Sequence, residues 1–179
     1  MLDVFTIIEK YYTPGDLAYQ ALITHSQLVA RKALALAARH PELGLDTAFV
    51  EEGAMLHDIG IFYTDAPGIG CHGDKPYICH GYLGADLLRK EGLPRHALVC
   101  ERHTGTGFTK AMIEEQGLPL PHRDMVPETL EEKLITYADT FYTKSHLTQE
   151  RTPEEARRKL AQFGEIPVRR FDEWSKLFE

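Results

Sequence analysis

The residues of this chain whose types and order could do chemistry are His25, the adjacent pair His57-Asp58, His80, His103 and Asp139. Imidazoles combined with carboxylates are the ligand inventory of borderline divalent metals, and open coordination positions leave room for water and a phosphate. Taken singly, each residue has a plainer reading. His57 could be a helix-terminal histidine meeting free carbonyls, with Asp58 solvated beside it. His25 lies in an apolar-faced segment, where a satisfied core histidine is the ordinary case. Asp139 follows Leu134-Ile135-Thr136-Tyr137-Ala138 on a face that must be largely buried, and a buried carboxylate needs a cation or several donors.

Ligands so far apart in sequence need rigid elements to bring them together, and the chain reads as nearly all helix. Alternating strand patterns are absent, and Ala, Leu, Glu and Lys dominate the periodic segments. A short helix is expected over residues 2–12, stopped by Thr13-Pro14-Gly15. A long one over residues 16–39 places Leu22, Leu28, Val29, Ala33 and Leu36 on one face and carries His25. His40-Pro41 ends it. Asp46 is positioned to cap the next helix, with Gly60 as its stop. Neighbours on a helix point about 100° apart, so His57 and Asp58 can share an ion only where the backbone begins to turn. A polar, Gly-rich loop over residues 63–77 follows, expected to act as a flexible lid. Further helices are expected over residues 80–91, 94–103 and 109–116, then a Pro-rich loop to residue 127. The helix over residues 128–146 carries Asp139. Thr152-Pro153-Glu154-Glu155 opens another helix, and an amphipathic segment runs over residues 167–178.

The stretch Met55-Leu56-His57-Asp58-Ile59-Gly60, with His25 before it and His80, His103 and Asp139 after it, resembles the HDIG subgroup of the HD superfamily of metal-dependent phosphohydrolases. The resemblance runs from about His25 to about Lys144. It implies an all-α HD-domain helical bundle: one domain over residues 1–179, with its core at about 16–146, an N-terminal helix and a C-terminal helical extension. It implies a divalent transition metal ion (Mn, Fe, Ni, Co or Zn) held by His25, His57, Asp58 and Asp139. The segments His80-Gly81-Tyr82-Leu83-Gly84-Ala85 and Arg102-His103-Thr104-Gly105 resemble those that carry further histidines in members with a second ion. Asp58 could then bridge two ions about 3.5–4 Å apart. The implied activity is hydrolysis of a small phosphorylated molecule, a nucleotide, by metal-activated water. Asp58, His80, Arg102 and His103 would be catalytic, and Arg102, Thr104, Lys110 and Lys144 would contact substrate. A dinucleoside polyphosphate hydrolase is a second activity of the same kind, and a non-catalytic metal- and nucleotide-binding sensor is the reading of another class. A single His103 after Arg102, without a Gly-Tyr-Pro motif, departs from the cyclic dinucleotide phosphodiesterase signature.

Composition sets outer bounds. Hydrophobic content of 43% and charged content of 26% are ordinary for a globular protein. A net charge of −7 argues against a surface that tracks a nucleic acid backbone. Met1-Leu2-Asp3-Val4 lacks a basic leader, no apolar run approaches membrane-spanning length, and the three Cys suit a reducing compartment, so a cytoplasmic protein without membrane contact is expected. Oligomeric state is left open. Gly68-Ile69-Gly70-Cys71-His72-Gly73 has the letters of a dinucleotide fingerprint without a strand before it or a helix after it, and is set aside. A zinc clip from Cys71, His72, Cys79 and His80 lacks the short Cys-x-x-Cys knuckle. Cys100 is read as core, the Arg157-Arg158-Lys159 run as a solvated face, and His40, His96, His122 and His146 as solvated or capping residues.

Overall fold

The computed structural model describes residues 2–147 and 149–179; Met1 and Thr148, the former within the N-terminal reading above, lie outside them. The nine helices among these residues are α1 (Val4–Ile8), α2 (Leu17–Arg39), α3 (Thr47–Leu56), α4 (His80–Lys90), α5 (Pro94–Arg102), α6 (Lys110–Gln116), α7 (Leu130–Asp139), α8 (Pro153–Ala161) and α9 (Glu165–Phe178). The fold is an all-α bundle. A two-residue hairpin, Asp65–Ala66 against Cys71–His72, is the sheet among the described residues. No described helix is long and apolar enough to cross a membrane.

The bundle is built around α2. Its buried face carries Leu22, His25, Ser26, Val29, Ala33 and Leu36, the spacing that puts a helix stripe against the core. That stripe packs on α3 and α7, while α4 packs on α5 and α5 closes on α3 and α7. Capping is written into the sequence: Asp46 accepts from Phe49 N, Thr109 from Met112 N, Thr129 from Glu132 N, and Thr152 forms a reciprocal box with Glu155. α8 and α9 pair with each other, and α9 lays Phe171 and Phe178 beside Tyr137 of α7.

Several expectations are corrected here. α1 ends at Ile8, because the bonds Lys10 N to Ile7 O and Tyr11 N to Ile8 O tighten the chain into a turn before Tyr12. α3 stops at Leu56, before Gly60, and a 3₁₀ turn over Ile59–Tyr63 follows Asp58. Gly60 serves a different need. A Cβ there would lie 2.2 Å from His80 O and 2.5 Å from Gly84 N, so its bare backbone lets α4 press against the turn. The loop after Tyr63 is a pinned wall, held by Asp65 N to Lys75 O, Gly73 N to Thr64 O and Lys75 N to Tyr63 O, with Cys71 buried beneath it. α7 ends at Asp139, well short of His146, with Thr140 as its cap. α9 begins at Glu165, because Pro167 falls within the first turn, where its missing N–H leaves nothing unpaired.

Candidate metal centre

Three histidines sit where helices begin or run out. His57 follows the last residue of α3, His80 opens α4 after a 3₁₀ turn at Tyr77–Cys79, and His103 follows α5. Each ring folds back and donates from Nδ1 to the carbonyl three residues earlier: Ala54 O at 2.6 Å, Tyr77 O at 2.6 Å and Cys100 O at 2.8 Å. Carbonyls at a helix end lack partners within the helix, so the local fold offers this bond. A proton fixed on Nδ1 leaves Nε2 as a lone pair, the form in which imidazole binds metal. Asp58 is placed by the turn after it. Tyr12 holds that turn, donating from its hydroxyl to Ile59 O at 2.7 Å and accepting from Phe62 N at 3.2 Å.

The six candidate ligands converge into two cages that share Asp58. In the first, Asp58 Oδ2 lies 3.2 Å from His25 Nε2 and 3.0 Å from His57 Nε2, and Asp139 Oδ1 lies 2.8 Å and 3.5 Å from the same two nitrogens. In the second, Asp58 Oδ1 lies 3.2 Å from His80 Nε2 and 3.3 Å from His103 Nε2, which are 3.1 Å apart. Ligands about 2.1 Å from one ion stand about 3.0 Å apart along an octahedral edge and about 3.4 Å along a tetrahedral one. The cages have those edge lengths. His25, His57, Asp58, His80 and His103 are all buried; Lys144 and His57 face Asp58 Oδ2, while Asp58 Oδ1 has no hydrogen-bond partner. The His80–His103 pair is the sharpest case: with both protons on Nδ1, two nitrogen lone pairs face each other beside a carboxylate oxygen. Such a set of acceptors requires a cation. The donor set fits a divalent metal.

The electrostatics follow from that convergence. Burial pushes the Asp58 carboxyl up, but the charges of His57 and Lys144 outweigh it and hold it well below the usual 3.8. Asp139 is likewise held well below the usual range, burial being overcome by contacts with His25 and His57. Burial opposes charge on His57, yet Asp58 and Asp139 raise it to about 10. His103 is lowered, chiefly by burial, and stays neutral. Lys144 Nζ reaches Asp58 Oδ2 at 2.5 Å, and its pKa is raised because attraction to Asp58 exceeds the desolvation penalty. Because α7 ends at Asp139, the chain turns back and delivers Lys144 to the site.

An open cavity of about 690 Å³ lies over the cages, lined by His25, His80, His103, Thr104, Asp139 and Lys144 among others. Thr104 and Lys144 are therefore brought to the site. Arg102 and Lys110 are not. Arg102 Nη1 pairs with Glu132 at 2.9 Å and Glu128 at 3.2 Å, because one residue along α5 turns it away from the direction of His103. Lys110 is more than half exposed on α6, 3.7 Å from Glu114. Asp58 also differs from the role of proton acceptor: both of its oxygens face cages. Asp139, with a side chain one-fifth exposed, is the carboxylate open to solvent. Tyr77, which sequence reasoning passed over, lines the cavity with its ring tilted against that of His80, centroids 4.7 Å apart. Nothing in its sequence neighbourhood marked it. The cysteines are free and buried, with Cys79 directed at Pro119 O, and none joins a metal cluster among the described residues. His40, His96 and His122 pair with Glu42, Glu52 and Glu114, and His146 with Ser145.

Comparison with known proteins gives the same reading. The HD domain family model matches residues 22–144. The chain is 39% identical over 129 residues to an uncharacterized protein of Methanocaldococcus jannaschii, an alignment covering 70% of this chain and 69% of that one. It is 35% identical over 127 residues to a tRNA (cytidine(56)-2'-O)-methyltransferase of Picrophilus torridus and 36% identical over 122 residues to that of Thermoplasma volcanium. Those alignments cover 70% and 68% of this chain but only 33% and 31% of the methyltransferases, so the chain spans about a third of their length. Among solved structures, the HD domain of the Listeria monocytogenes phosphodiesterase PgpH superposes with a TM-score of 0.55 at 18% identity, over 97% of this chain and 87% of that one, a likeness of fold. With the family match spanning the histidine and aspartate ligands, the chain belongs to the HD superfamily of metal-dependent phosphohydrolases.

Proposed function

We propose that this chain hydrolyses a phosphate ester or anhydride of a small molecule, a nucleotide, using two divalent transition metal ions. The observation that carries this reading is the single carboxylate, Asp58, whose two oxygens each complete a separate cage of buried imidazoles. Imidazole-rich donors favour Mn, Fe, Co, Ni or Zn over Mg. Such ions, when bound, supply Lewis acidity and lower the pKa of water.

The chain's own groups supply the rest. Asp58, His25, His57, His80 and His103 hold charge and geometry fixed, so little reorganisation is needed as charge develops on phosphate. Asp139, which commits one oxygen to its cage, keeps a solvent-accessible edge that can take the proton from the attacking water. Lys144 Nζ, once an ion neutralises Asp58, is placed to bind a non-bridging phosphate oxygen, and the Thr104 hydroxyl, which lacks a partner, can donate to another. Water oxygen attacks phosphorus, the bond to the leaving oxygen breaks, and the leaving group takes a proton from solvent.

The test is metal analysis of the purified protein followed by a screen of mononucleotides, dinucleoside polyphosphates and cyclic nucleotides. Phosphate or nucleotide release that falls by about 10³ in Asp58→Asn is expected. Tight nucleotide binding with no product after prolonged incubation would instead mark a sensor.

A further inference from the structure

A second cavity, of about 310 Å³, adjoins the metal centre and shares Tyr77, His80, Thr104 and Gly105 with it. It is far more enclosed in apolar side chains, among them Ile78, Phe108, Met112 and Phe163. No Asp, Glu, Lys or Arg lines it. Polar groups interrupt the apolar lining at Tyr77, His80, Thr104, Thr106 and Gln116; of these, Thr106 is only 2% exposed and its Oγ1 is buried without a hydrogen-bond partner. A buried hydroxyl without a partner is unfavourable and calls for a ligand atom to meet it. Tyr77 and Phe163, exposed at 38% and 62%, leave aromatic surface uncovered on the same cavity.

We infer that this cavity receives the nucleobase of the substrate, stacked on aromatic side chains with its polar edge toward Thr106, while the attached phosphate reaches the cages. The inference rests on the phosphohydrolase reading above only for the identity of the neighbouring phosphate site. A base is the occupant because the cavity is neutral, is at the lower end of the roughly 300–1,000 Å³ of small-molecule sites, and presents both apolar faces and unmet hydrogen-bonding groups. A hydrocarbon chain would leave the Thr106 hydroxyl unsatisfied. The wall is fixed from behind. Arg170 of α9 donates from Nη1 to Thr106 O at 3.1 Å and Gly107 O at 2.8 Å, holding the loop in place. Leu160, Phe163 and Pro167 form the far side, and these lie beyond residues 22–144, the span of the family match. The C-terminal helices thus add to the common centre a subsite that sets which substrate fits.

The experiment uses the full chain without added metal and a panel of phosphate-free nucleosides, with ribose 5-phosphate as the base-free comparison. Methionine-methyl NMR should show Met112 shifting with at least one nucleoside and not with ribose 5-phosphate. Phe163→Ala and the isosteric Thr106→Val should each weaken that nucleoside by about tenfold. Phe163 is exposed, so its variant should fold. In kinetics, Phe163→Ala should lower the preference for a nucleotide over ribose 5-phosphate, in kcat/KM, by a similar factor. Nucleosides that leave Met112 unmoved, a long-chain alkyl phosphate that binds there instead, or an unaltered preference would overturn the inference. Nucleoside binding at Met112 without any phosphate release would preserve it and count against hydrolysis.

Discussion

At the scale of residues, Asp58 and His57 decide how the centre loads. Metal-free, His57 titrates near 10, raised above the usual 6.5. Its imidazolium therefore stabilises the fold fully below pH 6.5, and that contribution is lost as pH rises toward 10. Asp58 and Asp139 are lowered, so their contribution is present above the ordinary carboxylate value of 3.8 and is lost as pH falls through their depressed values. The metal-free protein should melt at its highest temperature between those limits, with the melting point falling on the alkaline side; calorimetry across pH tests this. Because an ion must displace the His57 proton, loading at pH 7 should release protons and tighten as pH rises, which titration in buffers of different ionisation enthalpy measures. His80→Ala should lose one of two ions, read by metal analysis, since it removes a donor from the second cage alone. The ligand residues were legible in the sequence because each is a rare type at a helix boundary or on a buried face. Arg102 was misread because adjacency to His103 carries no information about direction, and the helix turns it toward Glu132. Removing it leaves a carboxylate that is 3% exposed with the Glu128 N–H but without its cationic partner, so Arg102→Ala should cost about 3 kcal/mol of stability in denaturant unfolding.

At the scale of elements, the decisive contact is the 3₁₀ turn after Asp58 against α4. The turn carries the shared carboxylate, α4 carries His80, and Gly60 and Gly84 let the two backbones meet. Gly60→Ala puts a methyl against backbone atoms that cannot rotate away. It should destabilise the protein by about 3 kcal/mol and lose the second ion before the first, read by unfolding and metal stoichiometry. Helix interiors were readable from periodicity and caps, as with Asp46, Thr109 and Thr152. The sequence misled at α3 and α7. Gly60 resembles a helix stop in letters, and its actual role is a tertiary contact that no local pattern encodes. The end of α7 at Asp139 is invisible too, because Thr140, Phe141 and Tyr142 are tolerated in a helix and only the approach of Lys144 to Asp58 shows why the chain departs there.

At the scale of the whole molecule, the C-terminal helices buttress the centre from behind. Tyr137 on α7 meets Phe141, Phe171 and Phe178 at ring distances of 5.1, 5.1 and 5.9 Å, and these rings lie on the reverse of the element that ends in Asp139. Phe171→Ala should remove about 3–5 kcal/mol of stability and weaken metal retention with no ligand altered, measured by unfolding and by dialysis against chelator. The amphipathic pattern announced a C-terminal helix but not its docking partner, since pairing between distant apolar faces is set by shape. Beyond α7 the chain makes a closed excursion: Arg151 N bonds Phe141 O at 2.8 Å, and Arg151 Nη1 bonds Thr140 O and Tyr142 O, so both ends are tied at one neck and Lys144 rides between them. The ammonium of that lysine already sits on the oxygen an incoming ion would need. Uptake is thus a swap of one cation for another, in which the Lys144 ammonium must leave Asp58 Oδ2. The pace of activation after metal addition would be set by the departure of the resident charge, and shortening that side chain would quicken it.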